Sequence, residues 1–393
     1  MMPGSEPPAL APSLAGLTAD PHPLLAELRG HGPVQWVDAL GGWLVTGHAA
    51  AAAVMRDADT FTVDDPRFST SRVVGASMLS TDGIEHGRHR QPFLAPFTPR
   101  ASRAYFAEFV KAEAARLVST FTGSGSAELR TALAAPLATA SMQLALGLQD
   151  IPVDELLGWY GGIVAAVAEI TAGADPPAYG RAAYESLSSA VEATIAAGGA
   201  QDTFLGQVLA GAGALTTAEM LSNAAVLMFG GIETTEGMIG TLLLHVLSDP
   251  EAMAELRSDP DLVDAAIEES LRLEPAAAVV DRYATRDVEI EGADVRLGDL
   301  VVVSIAGANR DPEVFDDPDV FDLHRLNARR HLAFAQGPHT CIGLHLARLE
   351  ARCAVQEVLR LDGLSLDRHR STAPTGLVFR KPAAVWATWS ASG

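Results

Sequence analysis

Cys341 is one of two cysteines in the 393-residue chain. It closes the run Phe334-Ala335-Gln336-Gly337-Pro338-His339-Thr340-Cys341, and Ile342-Gly343 then leads into an amphipathic helical pattern from Leu344 to Leu359. A thiol at the start of a helix meets the partial positive charge of unpaired backbone N–H groups, which favours the thiolate. Gly337 and Gly343 permit unusual backbone angles and close approach to a flat ligand. Three readings fit the sulfur: a proximal ligand to haem iron, a zinc ligand grouped with His331, His339 and His345, or a small buried side chain. Zinc sites usually draw on paired motifs, and no Cys-x-x-Cys pair exists here. Cys353 falls inside the following helix and reads as a small buried hydrophobe.

A second constellation, Gly230-Gly231-Ile232-Glu233-Thr234-Thr235, lies within a helical pattern running from Thr217 to Ser248. Thr216 and Glu219 have capping-box spacing, and the pattern stops before Asp249-Pro250. At ~1.5 Å per residue such a helix spans ~48 Å, enough to cross a domain. Each interior glycine costs ~1 kcal/mol relative to alanine, so an interruption that opens a groove is expected at Gly230-Gly231. A hydroxyl beside a carboxylate, Thr234 beside Glu233, is a plausible proton relay, with a wet helix turn as the plainer alternative. Glu269 and Arg272 share a helix face and can pair. His86 and Arg90, four apart, share a face if their segment is helical.

The elements that must position these groups are mostly helical. Patterns span about residues 98–121, 136–148 and 152–197, broken by Pro and Gly. Val34–Val37 and Trp43–Thr46 read as two strands of a hairpin turning at Gly41-Gly42. Strand-like runs return at Val288–Ile290, Leu300–Val303, Leu377–Phe379 and Val385–Thr388. No repeat or linker is evident. The reading is a mainly α chain with small β-sheets at its ends: a flexible tail over residues 1–19 and a single domain over 20–393.

Composition narrows the partners. With 49 acidic and 28 basic residues the net charge is −21, which argues against nucleic acid. At 48% hydrophobic residues the chain can bury a sizeable core. No apolar run reaches the roughly 18 residues that a membrane span needs. The proline-rich N-terminus lacks a basic region before an apolar one, so no export signal is expected and a cytoplasmic location is.

The segment Phe334-x-x-Gly337-x-His339-x-Cys341-x-Gly343, with Leu346-Ala347-Arg348 after it, resembles the haem-ligand signature of the cytochrome P450 family. Three further signatures precede it in the family's order: His86-x-x-x-Arg90, Gly230-Gly231-Ile232-Glu233-Thr234-Thr235, and Glu269-x-x-Arg272. The resemblance covers almost the whole chain from about residue 20. Ala335 stands where the family usually carries glycine, and Glu233 where many members carry aspartate.

The resemblance implies the cytochrome P450 fold, with haem b between the long central helix and the cysteine loop with its following helix. Cys341 would ligate the iron, with Phe334 and Gly343 beside the haem and His86, Arg90, Arg282 and His339 at its propionates. Glu233 and Thr234 would be the catalytic pair that manages protons. Arg325 would join Glu269 and Arg272 in a structural ion network. In this family the thiolate pushes electron density toward bound oxygen and favours O–O cleavage. The implied reaction inserts one oxygen atom from O2 into a hydrophobic, small or mid-sized molecule of the secondary-metabolite kind. Electrons would come from a separate ferredoxin and ferredoxin reductase, since no flavin or iron–sulfur module is fused here. Arg88, Arg100, Arg103, Arg329, Arg330 and Arg352 could form a basic patch for an acidic carrier. Oxidative coupling, desaturation or dealkylation by the same haem–oxygen chemistry are the alternatives, and a non-catalytic haem sensor a further one. The Glu233-Thr234 pair speaks against the sensor.

Overall fold

The computed structural model describes residues 12–171, 174–196, 205–206, 208, 213 and 215–391. Nine helices frame the site: α1 (Leu14–Ala19), α2 (Gly83–Leu94), α3 (Pro99–Phe121), α4 (Ala135–Leu146), α5 (Val153–Thr171), α6 (Ala178–Ala196), α7 (Thr217–Ser248), α8 (Val263–Leu273) and α9 (Leu344–Val358). Their ends follow local chemistry. Thr98 caps α3 by accepting from Ala101 N, with Pro99 at the first helical position. Thr216 and Glu219 close a capping box at the start of α7. Asp249 ends α7 and turns its carboxylate to the N–H groups of Glu251 and Ala252, capping the next helix.

The central helix α7 is buried along most of its 32 residues, which is why its sequence is apolar on nearly every face. It packs against α4, α8 and α9, and α9 also packs against α3. The helix is continuous through Gly230-Gly231, so the expected interruption is absent. The two glycines act differently. A Cβ on Gly231 would lie 2.3 Å from Met142 Sδ of α4, whereas one on Gly230 would meet nothing within 4 Å. Gly231 is therefore a packing residue, and its neighbour opens onto space.

A five-stranded sheet covers one end: β1 (Val34–Val37), β2 (Gly42–Val45), β3 (Phe61–Thr62), β4 (Val279–Ala284) and β5 (Leu300–Ser304), in the order β1-β2-β5-β4-β3. β1 and β2 form the expected hairpin, with Val34 opposite Val45. Only the β2–β5 pair is parallel. The register puts Asp281, Val302 and Leu44 in one row across three strands, and Arg282, Val301 and Trp43 in the next. Leu44 and Val302 pack on one face with Leu17 of α1 and Leu25. Val301 and Val303 pack on the other with Met55 and Phe61.

Several sequence expectations shift in detail. The helical stretch over 152–197 is two helices, α5 and α6; residues 172, 173 and 197 lie outside the described residues. Leu377–Phe379 is a turn and not a strand, apart from a single bridge between Phe379 and Ala277. Within the segment 1–19, α1 is a capped helix with Leu17 buried, and residues 1–11 lie outside the described residues.

Candidate functional site

The cysteine loop is held by its own backbone. Cys341 N donates to Phe334 O at 2.8 Å, and Thr340 N to Gly337 O at 3.1 Å. Gly337 has φ +75°, and a Cβ there would lie 2.5 Å from Met55 O, so both the turn and the close approach require glycine. Ala335 also has a left-handed φ, +55°. The position where the cytochrome P450 family usually carries glycine thus keeps glycine's conformation here, with a methyl group added.

Protein surrounds Cys341, and its exposed surface opens onto a cavity of about 1260 Å³. Burial raises the thiol's pKa above its ordinary value. The backbone N–H groups of Gly343 and Leu344 and the guanidiniums of Arg90 and Arg348 pull it the other way. The helix-start effect expected from sequence is present, but desolvation outweighs it. Across the cavity stand Gly230, Glu233 and Thr234 of α7, and Phe334 and Gly343 line it beside the cysteine. Leu79, Ala276–Val280 and the turn at Leu377-Val378 also line it.

Three of the four predicted cofactor-holding side chains also line the cavity: Arg90, Arg282 and His339. Arg282 is 4% exposed and donates to Asp281 O at 2.8 Å. Arg90 donates to Thr340 O at 2.5 Å. Neither guanidinium has an ion-pair partner among the described residues, and burial lowers the pKa of both. His339 Nε2 sits 2.7 Å from Asp82 Oδ1, a partner that sequence reasoning missed. His86 is outside the lining; its ring meets that of His339 edge-on at 4.2 Å, and its Nε2 lies 3.2 Å from Pro338 O. The other ring nitrogen, Nδ1, is buried without a hydrogen-bond partner.

Thr234 Oγ1 donates to Gly230 O at 2.6 Å, one turn earlier on α7. With its proton so committed, the hydroxyl presents acceptor lone pairs to the cavity. Glu233 is 6% exposed, and Lys381 Nζ lies 2.9 Å from its Oε1. Lys381 belongs to a short strand, β6 (Lys381–Pro382), and also holds Glu236, which pairs in turn with Arg130. Burial raises the pKa of Glu233, Lys381 opposes that rise and Glu236 adds to it. Nothing in the sequence near Glu233 points to Lys381.

Behind the cysteine loop the expected ion network is present. Arg272, fully buried, makes two 2.8 Å bonds to Glu269, and Arg325 Nε adds a third at 2.9 Å. Arg272 also donates to the carbonyls of Asn309, Pro318 and Val320. A second network was not anticipated: Glu268 accepts from Arg348 and lies 3.2 Å from His331, which holds its carboxyl down at about 2. The Arg348 guanidinium lies 4.5 Å above the Phe334 ring. His331 is thereby engaged away from Cys341, and among the described residues no group of three His, Cys, Asp or Glu could hold a metal ion. The zinc reading therefore has no ligand set.

The residues fit haem. Two guanidiniums without ion-pair partners, one half-buried and one buried, suit two propionates. The unpartnered His86 Nδ1 adds a donor or acceptor nearby, and a Cβ on Gly343 would meet nothing within 4 Å.

Comparison with known proteins agrees. The family model for Cytochrome P450 matches residues 189–375. Cytochrome P450 monooxygenase PikC of Streptomyces venezuelae is 33% identical over 92% of this chain and 89% of its own length. The 20-oxo-5-O-mycaminosyltylactone 23-monooxygenase of Streptomyces fradiae is 33% identical over 93% of this chain and 87% of its own. Among solved structures, CalO2 superposes with a TM-score of 0.87 at 28% identity, covering 97% of this chain and all of CalO2.

Proposed function

We propose, from the premise that this chain belongs to the cytochrome P450 family, that Cys341 ligates the iron of haem b and that the cavity receives a bulky, largely apolar molecule of the secondary-metabolite kind. The chain is a cytochrome P450 monooxygenase that uses haem iron, O2 and redox partners. The observation that carries the site assignment is the pair of guanidiniums without an ion-pair partner among the described residues, half-buried Arg90 and buried Arg282, on the cavity that Cys341 opens onto. The haem iron, when bound, supplies the activation of O2 that places one oxygen atom in the substrate and releases the other as water.

The residues of the chain do the rest. Arg90, Arg282 and His339 would anchor the propionates, with His86 supporting His339 from behind. Phe334 and Gly343 would flank the ring, and the carbonyl of Phe334 fixes the backbone N–H of Cys341. Thr234 holds its lone pairs toward the cavity, where it can receive a hydrogen bond from a water or a protonated group. Glu233 can carry a proton toward that hydroxyl from the partly exposed Lys381 ammonium behind it, while Arg130 holds Glu236 as a fixed charge. The apolar walls of the cavity exclude bulk water. The Glu269–Arg272–Arg325 network has no contact with the cavity side of Cys341 and serves folding and haem retention.

The electron donors we infer are a ferredoxin and its reductase. Arg100, Arg103, Arg329 and Arg330 are exposed, which supports docking of an acidic carrier; Arg88 is engaged by Glu85 and Glu219, and Arg352 by Asp264. Among the described residues no helix is long and apolar enough to cross a membrane, and both cysteines are free, which supports a cytoplasmic location. Residues 20–393 are read as one domain. The test is NADH consumption with a surrogate ferredoxin and reductase under labelled dioxygen. Substrate-dependent consumption with one labelled oxygen atom in the product is expected, whereas a haem sensor consumes none.

A further inference from the structure

Asp281 and Arg282 are neighbours on β4, so their side chains leave opposite faces of the sheet. Both residues line the cavity, which therefore wraps the strand. Arg282 stands with Arg90 and His339. Asp281 shares its row with Val302 and Leu44, on the side covered by α1. That part of the lining is aliphatic, with Leu17, Leu40, Leu44 and Val302 around the carboxylate's strand. Among the described residues the Asp281 carboxylate accepts no hydrogen bond and forms no ion pair. Protein encloses it on every side but the cavity, and burial raises its pKa, with Arg282 the only charge opposing.

An acid in such a place is costly unless something supplies charge or donors. Its neighbours on the chain do not. Arg282 points to the far face, where the proposed propionate contact engages it. Arg67, over the Tyr283 ring two residues along, is bound to Asp65 and to Gly298 O. A metal is a poor occupant, because among the described residues the carboxylate belongs to no group of three His, Cys, Asp or Glu that could hold one. An organic cation suits both features: its charge meets the carboxylate, and its carbon skeleton meets the leucines.

We propose that Asp281 is a specificity residue that selects substrates carrying a cationic nitrogen, a protonated or quaternary amine, on an apolar body. This rests on the reading of the cavity as the substrate site of a haem enzyme, and the test separates the two. Haem-loaded protein is titrated with decyltrimethylammonium, which has no lone pair to ligate iron, and with decanol and decyl sulfate as neutral and anionic counterparts. Binding is followed by equilibrium dialysis and by the Soret shift. The cation is expected to bind about tenfold tighter than the alcohol and the sulfate more weakly than either. Asp281→Asn removes the cation's advantage and leaves the alcohol within about twofold; Asp281→Glu retains most of it. Equal binding of cation and alcohol, or an advantage that survives Asp281→Asn, overturns the assignment. If those results come with an intact thiolate–haem carbon monoxide band, only this assignment falls; if the band is absent, both fall.

Discussion

Lys381 Nζ lies 2.9 Å from Glu233 Oε1 and 3.1 Å from Glu236 Oε2, tying a strand near the C-terminus to the middle of the central helix. One ammonium thus serves two buried carboxylates, and Arg130 takes the remaining charge of Glu236. Replacing it, Lys381→Met, leaves Glu233 with burial and a like charge beside it. Its pKa, already raised, rises further, so the acid limb of the pH–rate profile moves to higher pH. A carboxyl raised above its unfolded value stabilises the fold below the unfolded pKa and loses that contribution as pH rises through the folded one. The stability deficit of the variant, about 3 kcal/mol near neutrality, therefore grows with pH. An unmoved profile, or a deficit that shrinks with pH, contradicts this account of Glu233.

Glu269→Gln removes the anion between Arg272 and Arg325. Arg272 has no exposed surface to turn toward water, so an uncompensated charge remains in the core. A loss of about 3–5 kcal/mol is expected, with weaker haem retention after gel filtration. Arg272→Lys forfeits the fork that reaches both Glu269 oxygens and three carbonyls, and should fare little better.

The adjacent glycines of α7 should separate cleanly on substitution. Gly231→Ala drives a methyl into Met142 and costs about 1–3 kcal/mol from overpacking. Gly230→Ala meets no atom, gains up to about 1 kcal/mol of helix propensity, and places its methyl on the cavity wall. Thermal unfolding and ligand titration together distinguish the two: the first variant loses stability, the second loses affinity for bulky ligands.

Ala335→Gly relieves a left-handed alanine at φ +55° and is expected to stabilise the protein by about 1 kcal/mol. Denaturant unfolding of the haem-loaded protein measures it. Destabilisation would mean that the alanine methyl, which packs against the core cluster that includes Leu332 and Val303, contributes more than the strain costs.

What the sequence made legible was local. Thr216 and Glu219, or Glu269 and Arg272, are close enough in the chain for spacing alone to imply a contact. The cysteine loop carries its signature within ten positions. Partners from distant segments were out of reach: Asp82 lies 257 positions from His339, and Lys381 lies 148 from Glu233. Asp281 gave no signal either, since one acid in a strand reads as solvent-facing until the register turns it toward the leucines. The expected break at Gly230-Gly231 failed because propensity is a weak term beside burial of the whole helix.

The central claim is that the Cys341 sulfur ligates haem iron. The direct measurement is the absorption spectrum of the haem-loaded protein, reduced under carbon monoxide, for the wild type and for Cys341→Ser. A long-wavelength band of the thiolate–haem type in the wild type, lost in the serine variant, is the predicted result. A band of equal strength and position in Cys341→Ser contradicts it.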